Sequence, residues 1–194
     1  RCGPGTRCPR RSSAGRLDTA ALLCIIDRED IIMPVAEKYK NHLLFGVMGR
    51  AVNAIWLNRF EADYSALRQI LERMKQGGML VIAPEGTRSK TEALQEAKLG
   101  VAFLASKSGY PILPVAVMGT EDRAIVANLK RFKKSKIVVR AGELFHVQIP
   151  PGKGREEAMR HATDEIMCQI AARLPEKYHG VYADHPRLKE LLKN

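Results

Sequence analysis

Four cysteines are too few and too scattered to organise this sequence. No pair has C-x-x-C spacing, which weakens both a zinc site and a disulfide framework. Cys2 and Cys8 sit in an odd N-terminal stretch, while Cys24 and Cys168 fall within apolar patterns and read as buried thiols. A reducing, cytosolic setting is the simpler inference. Long apolar runs are missing too. The longest stretch without a charge, Ser108 to Thr120, has thirteen residues and is interrupted by Pro111 and Pro114. A spanning helix needs about 20 apolar residues. The Arg-rich start followed by "TAALLCII" has the outline of a signal peptide, but the apolar run is short, lies between Asp18 and Asp27 and lacks a small-residue cleavage site. Zinc-finger spacing and an aromatic RNP-type strand are also lacking, so nucleic acid is the weakest reading of the positive charge.

That charge is the strongest compositional signal. The chain of 194 residues carries +11, with 45% apolar and 27% charged residues. Such proportions suit one soluble globular domain with a sizeable core. Five of the positives are Arg1, Arg7, Arg10, Arg11 and Arg16, in a stretch without an acid, which leaves +6 for the remainder. A basic surface favours anionic partners: nucleic acid, acidic lipid headgroups or phosphorylated substrates.

Residues 1–16 show no hydrophobic periodicity and read as a disordered basic arm or as an out-of-frame translation of GC-rich DNA. Order begins at residue 17. Asp18 can cap a short helix through Ala20, Ala21, Leu22 and Leu23. "IIMPVA" (31–36) and "AIWL" (54–57) read as strands, and "HLLFGVMGRAV" (42–52) as helical turns. Asp63 opens the clearest helix, with Leu67, Ile70, Leu71 and Met74 on one face and Gly77-Gly78 at its end. "MLVIA" (79–83) reads as a strand buried on both faces, as in a parallel sheet. A helix near 98–108, strands "PILPVAV" (111–117) and "KIVVRAG" (136–142), and a long helix carrying Met159, Ile166, Ile170 and Leu174 follow. This alternation predicts an α/β domain with a largely parallel sheet.

In open α/β sheets ligands collect beyond the carboxyl ends of strands. "EGTRS" occupies that position after "MLVIAP". Gly86 lets the backbone approach a ligand. Thr87 and Ser89 offer hydroxyls, and Arg88 a planar fork suited to phosphate oxygens. Glu85 can orient that guanidinium or hold a substrate hydroxyl. The plain alternative is a surface turn with one solvated ion pair.

"APEGTRS" (83–89), "AKLG" (97–100), "PILPVAV" (111–117), the upstream "NAIWLNR" (53–59) and the ending "IAARLPEKYHGVYAD" (170–184) occur in order. Together they resemble the glycerolipid acyltransferases, specifically the bacterial-type 1-acylglycerol-3-phosphate acyltransferases, over roughly residues 17–184. Ordered blocks are far more specific than a lone pentapeptide. The resemblance implies a single α/β domain over 17–184, a largely parallel or mixed central sheet flanked by helices, and a C-terminal tail over 185–194. It implies transfer of an acyl group from acyl-CoA or an acylated carrier protein to lysophosphatidate, giving phosphatidate, with no acyl-enzyme, no metal and no cofactor besides that co-substrate. Asp18 and Glu85 are the catalytic residues so implied. Arg59, Gly86, Thr87, Arg88, Ser89 and Lys98 are the substrate-binding ones. The implied location is peripheral, on the cytoplasmic face of an anionic membrane, where the run "KRFKKSK" (130–136) could meet headgroups; a solvated face is the plainer reading of that run.

One position departs from the family pattern. An H-x-x-x-x-D motif supplies the base that takes the acceptor's proton, yet Ser13 stands where the histidine belongs, five residues before Asp18. A serine cannot serve as base at neutral pH. His42 has Val47 where an acid is needed, and His179 has the spacing to Asp184 but lies downstream of the EGTR block. The divergence stops near Ala14, so a frame-shifted start is the expectation. Acylation of glycerol 3-phosphate or another lysophospholipid, and a non-catalytic lipid-binding role, are the alternatives.

Overall fold

The computed structural model describes residues 22, 24–37, 54–57, 63–87, 89, 91–120, 128, 131, 134–152 and 154–193. Ser13, Asp18, His42, Arg59 and Arg88 lie outside them, as does the helical reading of 42–52.

The apolar stretch "IIMPVA" is divided between two ladders. Strand β1 (Ile31–Ile32) and strand β2 (Pro34–Ala36) are separated by Met33. β2 runs parallel to β3 (Ile55–Leu57), and β1 runs parallel to β4 (Met79–Leu80). Pro34 has no N–H to give a neighbour, so regular pairing changes sides there. Backbone bonds from Ile55 N to Met33 O (3.0 Å) and from Val81 N to Ile32 O (3.0 Å) keep 31–36 between its two neighbours. The strand expected over 79–83 is shorter and less covered than its composition suggests. Residues 79–82 are half-buried and Ala83 is exposed. Leu80 and Ile82 share one face and pack on the core around Ile32 and Ile70, while no cluster among the described residues covers Met79 and Val81.

Helix α1 (Tyr64–Lys75) forms as its pattern predicts. The Asp63 carboxylate accepts the Ala66 N–H at 2.9 Å, and Arg73 and Lys75 sit in the last turn, where the dipole favours positive charge. Ala66, Ile70 and Met74 pack against Ile32, Ile55 and Leu104. Leu104 belongs to helix α2 (Gly100–Ser108), whose other side, Val101 and Ala102, meets Ala162 and Ile166. α2 therefore lies between two helices, which explains why its apolar residues do not form a narrow stripe.

Strands β5 (Val115–Met118) and β6 (Val138–Ala141) pair antiparallel, and a bridge at Ile112 and Phe145 extends them. The long helix α3 (Arg155–Ala171) buries more than the predicted stripe, because it serves two neighbours. Ala162 and Ile166 face α2; Met167, Cys168 and Ala171 face Tyr182 and Leu188. Leu174 lies beyond its end. Leu188 is fully buried on helix α4 (Pro186–Leu191), so the stretch read as a tail is packed onto α3. Cys168 is buried as expected, whereas Cys24 is exposed, as is its neighbour Ile25.

Candidate active site

The chain leaves β4 along the ladder and then turns sharply. Val81 makes the last bond to Ile32, and the Gly86 N–H closes a turn on Ala83 O at 3.1 Å. Gly86 has φ +65°, and a Cβ there would stand 3.3 Å from Lys98 Cγ. Glycine is thus favoured both by conformation and by the close passage of the next segment. That segment, 94–99, returns alongside: the Lys98 N–H donates to Pro84 O at 2.9 Å before α2 begins at Gly100.

Between the two segments lies a cleft of about 380 Å³, lined by Glu85, Thr87, Gln95, Glu96, Ala97, Lys98, Leu99 and Arg160. Thr87 and Lys98 are exposed. α2 starts here without a side-chain cap, leaving the positive end of its dipole available to an anion. Lys98, Arg160 and that helix end supply positive potential; Glu85 and Glu96 oppose it.

Glu85 is half-buried, and burial pushes its carboxyl up from 4.5 to about 7, while a hydrogen bond from the Gln95 backbone N–H pulls the other way. The folded state therefore holds this proton more tightly than the unfolded chain. Stability falls as pH rises from 4.5 to about 7 and levels off above. Glu85→Gln lacks this loss, so its melting temperature relative to the parent should climb across that interval. A difference that stays flat between pH 4.5 and 8 contradicts a carboxyl held this way.

The cleft brings together Glu85, Thr87 and Lys98 of the expected site residues, with Gly86 shaping the turn between the first two. Ser89 is used differently. It is buried, its hydroxyl donates to Ala93 O at 2.6 Å and accepts the Thr91 N–H at 3.2 Å. It braces the loop and does not line the cleft. Three polar lining residues went unpredicted. Gln95 and Glu96 sit in the spacer between two recognisable blocks, and Arg160 lies on the exposed side of α3, paired with Glu156 at 3.2 Å. Nothing in their local sequence marks them.

His179 has a structural task. The buried His179 ring has Nε2 3.0 Å from Leu174 O, while Asp184 is solvent-exposed and paired with Lys189 at 3.1 Å. Their spacing is coincidental. Cys168, His185 and Asp164 line up like a nucleophilic triad, with Sγ 3.3 Å from Nδ1 and Nε2 4.0 Å from the carboxylate. Burial, aided by Glu165 and Asp164, pushes that thiol up to about 11. A fully buried thiol held in its neutral form is a poor nucleophile.

A family model described as Acyltransferase matches residues 13–118. A chloroplastic 1-acyl-sn-glycerol-3-phosphate acyltransferase of Brassica napus is 41% identical over 59 residues, 30% of this chain and 17% of that one. The 1-acyl-sn-glycerol-3-phosphate acyltransferase of Cocos nucifera is 32% identical over 103 residues, 53% of this chain and 32% of that one. The chain thus spans under a third of the length of either relative. Among solved structures, the 1-acyl-sn-glycerophosphate (LPA) acyltransferase PlsC of Thermotoga maritima superposes with a TM-score of 0.52 at 19% identity, covering 80% of this chain and 62% of that one. At that identity the likeness speaks for the α/β fold.

Proposed function

The chain belongs to the acyltransferase family, and on that premise we propose that it moves a fatty acyl group from acyl-CoA or an acylated carrier protein to the free hydroxyl of 1-acylglycerol 3-phosphate. The product is phosphatidate. The observation that carries this reading is the cleft, where Thr87, Lys98, Arg160 and the uncapped start of α2 surround Glu85. A phosphate monoester suits such a mixture of cations, hydroxyl and helix end. In this reading Arg88 and Arg59, which lie outside the described residues, are the guanidinium forks that hold the phosphate.

The reaction needs a base, because a hydroxyl is a weak nucleophile at neutral pH. The family pattern places a histidine oriented by Asp18 as that base, taking the acceptor proton, at the position where this chain has Ser13. The oxygen attacks the thioester carbonyl, the carbon–sulfur bond breaks, and the thiolate leaves with that proton. Residues 17–184 form the acyltransferase unit in this reading.

Among the described residues no helix is long and apolar enough to cross a membrane. The partner surface in this reading is an anionic membrane met peripherally at the cytoplasmic face, not nucleic acid. Arg131, Lys134 and Lys136 are exposed, and each such positive adds about 1 kcal/mol near anionic lipid.

The test supplies labelled acyl-CoA, and separately an acylated carrier protein, with lysophosphatidate. Labelled phosphatidate from the chain carrying Ser13→His is expected. Lysophosphatidate binding without transfer would point to a lipid-binding protein, and transfer only to glycerol 3-phosphate would reassign the acceptor.

A further inference from the structure

The 94–98 wall of the cleft is not held by its own hydrogen bonds alone. Two 3₁₀ turns, Glu176–Tyr178 and Gly180–Tyr182, follow α3 and press against it. Leu94 is gripped at both backbone groups: its N–H donates to Tyr178 O at 2.9 Å, and its carbonyl accepts the Val181 N–H at 3.2 Å. Three residues on, the Ala97 N–H donates to the Tyr182 hydroxyl at 3.4 Å.

Gly180 permits that approach. It has φ +56°, and an added Cβ would fall 2.0 Å from Leu94 O and 2.9 Å from Leu94 N. Both the conformation and the space exclude a side chain. Tyr182 is buried among Ala97, Met167, Cys168, Ala171 and Leu188, and burial pushes its phenol up to about 12, so it stays neutral at working pH. The His179 ring at Leu174 O anchors the turns to the end of α3.

Gln95, which lines the cleft with Glu85, lies between these two points of attachment. We propose that the Tyr178–Tyr182 segment is a clasp for the cleft, with Gly180 and Tyr182 as positioning residues that hold the 94–97 wall beside Glu85. This deepens the acyltransferase reading and rests on it for its consequence in catalysis. The sequence marks the segment only as part of a family-like ending, without a task.

The test is ¹³C NMR of labelled glutamate carboxyls in the 194-residue protein, with Glu85 assigned through Glu85→Gln. Gly180→Ala, Tyr182→Phe and Val181→Ala are compared with the parent. Glu96, Lys98 and Arg160, the charged groups sharing the cleft with Glu85, are unchanged throughout. Burial is the larger influence on the Glu85 carboxyl, and a loosened 94–97 wall lets water reach it. The Glu85 midpoint should therefore fall by about half a pH unit or more in Gly180→Ala, and less in Tyr182→Phe. Val181→Ala keeps its backbone N–H and leaves the midpoint in place. A midpoint that stays or rises in Gly180→Ala overturns the clasp; if that variant does not fold, the same criterion applies to Tyr182→Phe.

In the Ser13→His background, Tyr182→Phe should lower kcat/KM for lysophosphatidate several-fold while KM for acyl-CoA holds. A falling Glu85 midpoint with no transfer in any variant would keep the clasp and defeat the acyltransferase reading. An unmoved midpoint with normal transfer would do the reverse.

Discussion

Ser13→His raises phosphatidate formation by about 10²–10⁴-fold, the usual worth of a general base. That corresponds to roughly 3–5.5 kcal/mol of barrier. The argument rests on spacing: position 13 lies five residues before Asp18, where an acid can orient an imidazole toward the acceptor. Serine, with a hydroxyl of its own to deprotonate, cannot take that proton. Ser13→Ala should leave the parent's low rate unchanged, because nothing is asked of the serine. Equal turnover by Ser13→His and the parent would show that another group acts as base. Glu85 would be the first to examine, since its carboxyl is pushed up to about 7 and it lines the cleft. In that event Glu85→Gln would abolish transfer, and the rate would rise as pH passes about 7.

Arg88→Ala lowers kcat/KM for lysophosphatidate by roughly 10–100-fold, the loss expected for charge-assisted hydrogen bonds to phosphate. Arg88→Lys keeps the charge without the planar fork and should restore only part of the rate. Lys98→Ala should cost less, because its ammonium is exposed and screened by solvent. A neutral monoacylglycerol acceptor provides the control, since its slower acylation should not respond to Arg88→Ala. Equal losses with both acceptors would mean that Arg88 supports the loop and not the phosphate.

The fold was legible where one face of an element carries its packing. α1 could be read from Asp63 to its last turn because a single face, Ala66, Ile70 and Met74, carries its packing. α3 was harder, since it faces α2 at Ala162 and α4 at Met167, and two faces blur a helical period. The division of 31–36 between two partners depends on the missing Pro34 N–H, a backbone matter that hydrophobicity does not encode. At the cleft, Glu85 and Lys98 were visible because they sit in recognisable blocks. Arg160 arrives from a distant helix, and Ser89 turns inward to close its own loop; both follow from tertiary placement. The task of Gly180 was hidden for the same reason, as its neighbour is Leu94, far away in sequence.

The claim on which all this depends is that the cleft beside Glu85 receives the phosphate of the acyl acceptor. Amide NMR during titration with lysophosphatidate below its micelle threshold tests it directly, with phosphate-free monoacylglycerol as the comparison. Shifts should concentrate at Gly86, Thr87 and Gln95–Gly100 for the phosphorylated lipid, and be small there for the other. Equal responses to the two lipids, or shifts gathered on the β5–β6 face instead, would contradict the account.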